Sequence, residues 1–252
     1  MTLLQNIRSL AGPTLLAVST IVGFGILFPP PAYAGSKGVV ELYTSQGCSS
    51  CPPADRLAAQ LAEDSELVVL TLPVTYWDYL GWKDTFAKAE FTNRQYAYAK
   101  LRGDRSVYTP QVVINGFDHT VGSDEKTIKK MLGSRNLPVD VTIAANADDL
   151  SIKVAGDSKG REAVVWLALF QSEGTVAIGR GENRNRTVTY TNIVREMRPL
   201  GKWTGKEMSV DLPKSEVMKD KITGVAVIVQ TKKGKLPAHI LGAASWTDKS
   251  SS

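Results

Sequence analysis

The sequence predicts a mixed α/β domain followed by an all-β antiparallel domain of sandwich type. Two observations predict this. Residues 36–135 alternate strand-like apolar runs with helix-periodic stretches. After Leu137-Pro138 the helical period disappears and short alternating segments recur between turns rich in Gly, Asn and Lys. A hydrophobic content of 43% is enough for ordinary cores and argues against a disordered chain.

The elements follow in order. Residues 38–44 contain VVELYT and read as a buried strand, with Ser45-Gln46-Gly47 as its turn. Ala54, Leu57, Ala58 and Leu61 fall at helical spacing, so a helix comes next. It begins either at Cys48, with Pro52 and Pro53 distorting its first turn, or at Pro52, where proline suits the first helical position. Residues 66–74 form a second strand, and an aromatic loop with Tyr76, Trp77, Tyr79 and Trp82 follows. Residues 85–101 favour helix, with Gly103 as the stop. Residues 111–115 and 117–121 are two short strands around the Asn115-Gly116 hairpin signal. Ser123 is the expected N-cap of a helix that runs through Ile128, Met131 and Leu132 to Gly133.

Beyond a boundary near 134–138, strands are expected at 139–145, 150–155, 163–171, 187–197, 207–212, 223–230 and 239–246. The division is therefore a 36–135 α/β domain and a 138–247 β-sandwich-like domain. Residues 1–34 read as a signal peptide, with an uncleaved N-terminal anchor as the alternative. Arg8 precedes an apolar run that ends at Phe28, and Ala32-Tyr33-Ala34 fits a small-residue cleavage pattern. Export to the periplasm or medium is the implied destination, with Gly35 as the first mature residue. No later stretch is long and apolar enough to span a bilayer, so no membrane association is expected after cleavage.

The chemistry centres on Cys48 and Cys51, the two cysteines of the chain. Export implies an oxidising compartment, where a disulfide is expected. As a staple the pair is poorly placed, because closing so short a loop is worth roughly 2 kcal/mol against nearly 5 for a long one. Between a strand and a helix, however, a C-x-x-C pair suits thiol–disulfide exchange. A helix N-terminus favours thiolate, and a three-residue offset lets the sulfurs meet. Cys48 is then the expected exposed nucleophile and Cys51 the buried resolving thiol. Two thiolates also suit a soft ion such as Cu(I), which leaves a Cu(I)-binding protein as an alternative.

The element order, the C-x-x-C after the first strand and Thr109-Pro110 before the hairpin resemble the thioredoxin superfamily. ELYTSQGCSSCPPAD, PVTYWDYLGWKDTFA, VYTPQVVING and RGENRNRTVTYTNIVRE are similar to a secreted bacterial thioredoxin-like family labelled domain of unknown function 1223. The resemblance implies a thioredoxin-like first domain. It implies a cis Thr109-Pro110 bond facing the dithiol, where Thr109 and Pro110 would bind an extended substrate. It also gives Glu41 the role of a buried acid relaying protons to Cys51; a carboxylate at a solvated strand edge is the alternative. Gly47 stands where thioredoxins carry Trp, and the Ser49-Ser50 pair supplies no cation.

Tyr76 and Trp77 are candidates for an apolar rim that binds peptide, or for packing between the domains. The three arginines of segment 180–186 could bind an anion or salt-bridge to the first domain, or stand in a solvated hairpin tip. Other chemistries lack parts. Gly179-Arg180-Gly181 has no third glycine for a dinucleotide, and no cofactor is expected. No run of like charge marks a nucleic-acid partner, and two histidines leave little for hydrolysis. The expected function is an exported thiol–disulfide oxidoreductase acting on a cysteine-containing protein or a small thiol. The alternative is a non-enzymatic protein- or peptide-binding module.

Overall fold

A computed structural model describes residues 32–33, 36–134, 136–157 and 159–248. The elements are β1 (Ala32–Tyr33), β2 (Gly38–Thr44), α1 (Pro52–Ala62), β3 (Leu67–Pro73), α2 (Ala89–Arg102), β4 (Gln111–Ile114), β5 (Asp118–Val121) and α3 (Glu125–Leu132). There follow β6 (Val141–Ala145), β7 (Asp149–Val154), β8 (Ala163–Ile178), β9 (Arg186–Trp203), β10 (Met208–Pro213), α4 (Lys214–Val217), β11 (Gly224–Lys233) and β12 (Leu236–Thr247). The expected signal peptide lies outside the described residues, apart from the two residues of β1.

The expected fold class is corrected by the sheet topology. Strands hold 45% of the described residues and helices 19%. The strands of the first half do not close a compact α/β thioredoxin unit. They form one flank of a mixed eight-stranded sheet with the order β12-β11-β8-β9-β3-β2-β4-β5. A second sheet, β1-β6-β7-β10, has four strands.

The join is made at β3, whose outer edge would otherwise present unpaired backbone groups. There β9 runs parallel to β3, in register at Thr71 and Ile193. Side chains extend this short ladder: Thr71 Oγ1 donates to the Thr191 carbonyl (2.6 Å), and Asn192 Nδ2 donates to the Val69 carbonyl (3.0 Å). Asn192 holds a positive φ of 48°, which asparagine tolerates better than most residues.

Strand alternation divides the side chains between two faces. On one face Val39, Tyr43, Leu70, Phe170 and Ile228 pack with Phe91 and Tyr98 of α2. On the other, Val40, Leu42 and Val69 meet Leu57 and Leu61 of α1 and Ile128 of α3. Farther along that second face, Val165, Leu167, Val227 and Leu241 pack against Val141, Ile143 and Ile152 of the smaller sheet.

Two strands outrun their expected ends and lead towards the site. The β8–β11 register stops at Phe170 and Gly224, yet β8 continues to Ile178, paired with β9 alone. This arm brings the 179–185 turn, remote in sequence, onto the cysteines.

Candidate functional site

The turn after β2 is built from its own backbone. Gly47 N donates to Ser45 Oγ (3.1 Å), Cys48 N to the Ser45 carbonyl (3.1 Å), and Cys51 N to the Cys48 carbonyl (3.2 Å). Gly47 is required by close approach: a Cβ there would lie 3.0 Å from Trp77 Cβ. Cys48 and Cys51 form a disulfide with their Cα atoms 5.4 Å apart, inside the usual range.

Cys51 is the N-cap of α1, which starts at Pro52. This settles the helix start and removes the expected thiolate support. Pro52 and Pro53 carry no N–H, while Ala54 N and Asp55 N both donate to the Cys51 carbonyl (2.8 and 3.1 Å). The first turn therefore has no free N–H to offer Cys48.

The expected exposure of Cys48 is also corrected. Cys48 is 1% exposed and Cys51 is fully buried. The arm supplies part of the cover. Asn183 Nδ2 donates to the carbonyls of Gln46 (3.0 Å) and Cys48 (2.8 Å), and Ser49 N donates to Glu182 Oε2 (3.1 Å). Within the Arg-rich segment it is thus Asn183 and Glu182 that contact the cysteine turn, while Arg180, Arg184 and Arg186 stand exposed. From the other side, Trp82 Nε1 donates to Gln46 Oε1 (2.8 Å), and Gln46 N donates to Asp84 Oδ2 (2.8 Å).

One turn into α1 sits Asp55, 2% exposed, four residues beyond Cys51 and on the same side of the helix. Its Oδ1 accepts from Thr44 Oγ1 (2.7 Å), and its buried Oδ2 has no hydrogen-bond partner. Burial pushes the carboxyl up to about 8, against the opposing bond from Thr44 and with added repulsion from Asp84. A carboxyl of this kind holds a proton at neutral pH and can release it.

The sequence assigned a buried acid to Glu41, and the structure places that residue elsewhere. Glu41 faces α2, on the sheet face opposite α1. Arg94 Nε donates to its Oε1 (2.7 Å) and Tyr98 Oη to its Oε2 (2.6 Å). Arg94 also donates to Tyr98 Oη and Gln230 Oε1, each at 2.9 Å. Glu41 thereby serves a closed ion-pair network and has no route to Cys51 across the sheet. Neither the relay nor the solvated-edge reading describes it.

Thr109-Pro110 is cis. Pro110 lies beside the first turn of α1: a Cβ on Gly122 would sit 3.0 Å from Ala54 Cβ and 3.1 Å from Pro110 Cβ. Trp77 Nε1 donates to Thr109 Oγ1 (2.7 Å), which ties the aromatic loop to this segment. Tyr76 and Trp77 are half-buried, and Trp77 stacks with Tyr79, which is 77% exposed. The loop packs directly on Gly47, so Trp77 links Thr109 to the cysteine turn.

Asp55 and Asn183 are the residues that sequence reasoning did not single out. Asp55 left a signal, a carboxylate at the i+4 position from Cys51 inside a buried stripe. Asn183 left none, because its partners are about 135 residues away. His119, half-buried on β5, bonds Tyr108 Oη (3.0 Å) and Gln111 Nε2 (3.2 Å) away from the cysteines. Among the described residues no group of three or more His, Cys, Asp or Glu side chains is placed to hold a metal ion.

Comparison with known proteins gives a family and a solved relative. The protein family of unknown function DUF1223 matches residues 39–230. The crystal structure of an Agrobacterium tumefaciens protein is 38% identical, with a TM-score of 0.76, and the match covers 84% of this chain and 94% of that one. A search of curated proteins gave no match.

Proposed function

The chain belongs to the DUF1223 family, and we propose that it is an exported thiol–disulfide exchange protein. The observation that carries this reading is the pairing of the Cys48–Cys51 disulfide with a buried, half-partnered Asp55 one helical turn from Cys51. A four-residue ring adds little to stability, so structural need does not account for the bond.

In the direction that reduces the protein, a substrate thiolate attacks Cys48 Sγ. The Cys48–Cys51 bond breaks, and Cys51 leaves with the electron pair. Asp55 passes its proton to the Cys51 thiolate and becomes a carboxylate. A second substrate thiolate attacks the substrate sulfur of the mixed disulfide and releases Cys48 as thiolate. The substrate pair is thereby oxidised by two electrons and the protein disulfide reduced. In reverse, Asp55 takes the Cys51 proton and Cys51 resolves the mixed disulfide. Thr109 and Pro110, with Trp77 beside them, form the surface on which the substrate backbone lies. Substrates are cysteine-containing proteins or small thiols in the periplasm or medium.

Cys51→Ala is expected to accumulate mixed disulfides on non-reducing gels, while Cys48→Ala is not. Equal trapping by both variants would remove the assigned roles. The near-complete burial of Cys48 favours a second reading, a binding module with an inert disulfide. Resistance of the bond to glutathione would select that reading.

A further inference from the structure

We propose that the tip of the β8–β9 arm is a gate over the disulfide and that Asn183 is its latch. The proposal rests on the exchange reading above and adds a condition to it: the site must open before any thiol reaches Cys48.

Only the outer end of the arm is free of the neighbouring ladders. Residues 174–178 of β8 pair with residues 186–190 of β9 alone, whereas nearer the base Ser172, Thr191 and Asn192 still bond to Thr223, Thr71 and Val69. A two-stranded ribbon is marginally stable by itself. One side of this ribbon is anchored, since Ile178, Val188, Tyr190 and Ile193 pack with Trp82 and Phe86. Its other side is polar, as Thr175 and Thr189 show by bonding across the strands in the open (2.9 Å).

At the tip, Gly181 and Asn185 take positive φ values of 77° and 65° and turn the chain back. Polar side chains at a hairpin tip ordinarily stand in water. Asn183 instead is 1% exposed, and its amide spans two carbonyls of the cysteine turn. Arg186 Nη1 donates to Asn183 Oδ1 (3.0 Å), which fixes the orientation of that amide. Glu182 adds one bond at the rim, to Ser49 N.

Exchange rates depend on access to the attacked sulfur. With Cys48 1% exposed and Cys51 at 0%, the closed arrangement shuts both sulfurs off. Lifting the tip breaks the two Asn183 bonds and the Glu182 bond. It also frees the carbonyls of Gln46 and Cys48. An incoming substrate amide can take the same two acceptors, so a peptide thiol competes directly with Asn183.

The test is stopped-flow reduction of the oxidised full chain by dithiothreitol, with re-oxidation by oxidised dithiothreitol. Asn183→Ala is expected to speed both directions about tenfold and to leave their ratio within about twofold. Glu182→Gln, an exposed change that the fold tolerates, is expected to speed both about twofold and keeps the test open if Asn183→Ala does not fold. Unchanged rates in both variants, or a shift of the equilibrium without faster approach to it, would overturn the gate. This readout needs no natural substrate, so the gate and the exchange function fail separately: mixed-disulfide trapping judges the second.

Discussion

Glu41 and Asp55 lie on consecutive elements, on opposite faces of the same sheet, and both are shut away from water. Glu41 shares its site with a guanidinium and a tyrosine hydroxyl, so each of its oxygens has a donor. Asp55 has a single threonine hydroxyl and leaves one oxygen without a partner. A buried carboxylate that faces a cation stays charged and fixed in place. One without a cation gains a proton instead, because desolvation disfavours its charge. The first arrangement ties α2 to the sheet. The second leaves a protonated carboxyl one helical turn along from Cys51. Burial does not distinguish the two acids; their partners do.

The largest expected effect comes from breaking the closed network. Arg94→Ala leaves Glu41 as an unpaired buried carboxylate and also removes the bonds to Tyr98 and Gln230. It should cost about 3–5 kcal/mol in urea unfolding at pH 7. A loss below about 1 kcal/mol would erase the contrast between the two acids.

Asp55→Asn sharpens it from the other side. The folded carboxyl holds its proton up to about 8, whereas the unfolded chain releases it near the ordinary carboxylate value. Between those limits the folded state binds more protons, so stability falls as pH rises. The contribution is fully present below about pH 4 and is lost as pH climbs through the folded value. Asparagine removes this slope. Relative to the wild type, the variant should gain on the order of 3 kcal/mol between about pH 5.5 and pH 8. Parallel stability curves would show that Asp55 is charged throughout.

Much of the local structure was legible in the sequence, and the mismatches have local causes. The 38–44 strand and the Asn115-Gly116 hairpin stand as read. The second long helix starts at Ala89 rather than near 85, because Asp84 Oδ1 takes Phe86 N and Ala87 N into its own turn (2.8 and 3.1 Å). Asp124, not Ser123, caps α3, accepting from Thr127 N (3.1 Å). The strand expected at 187–197 runs on to Trp203, with Pro199 and Gly201 paired to β8 across an irregularity in register.

The larger error was one of assembly. Periodicity reports which face of a strand is apolar, but not which strand joins its edge. Nothing in residues 66–74 indicates that β9 will sit beside them, so the two halves read as separate folds. The candidate site divided in the same way. Cys48, Cys51, Thr109 and Pro110 were visible as motifs. Glu41 was read as the acid near Cys51 and lies on the other face of the sheet, since a lone Glu in an apolar strand and a lone Asp in an apolar helix look alike until their partners are known.

The smallest effect isolates the single bond to Asp55. Thr44→Val keeps the shape of the fully buried side chain and removes its hydroxyl. It should cost about 1 kcal/mol at pH 8 and push the Asp55 carboxyl further up. Thermal unfolding across pH checks the first effect. A carboxyl that titrates lower in the variant would contradict the second.

Titration of the full chain against glutathione redox buffers shows whether Cys48–Cys51 is an exchanging bond. Reversible reduction is expected at a potential above about −300 mV, within reach of biological thiols. A bond that stays oxidised in excess reduced glutathione, in the wild type and in Asn183→Ala alike, would contradict it.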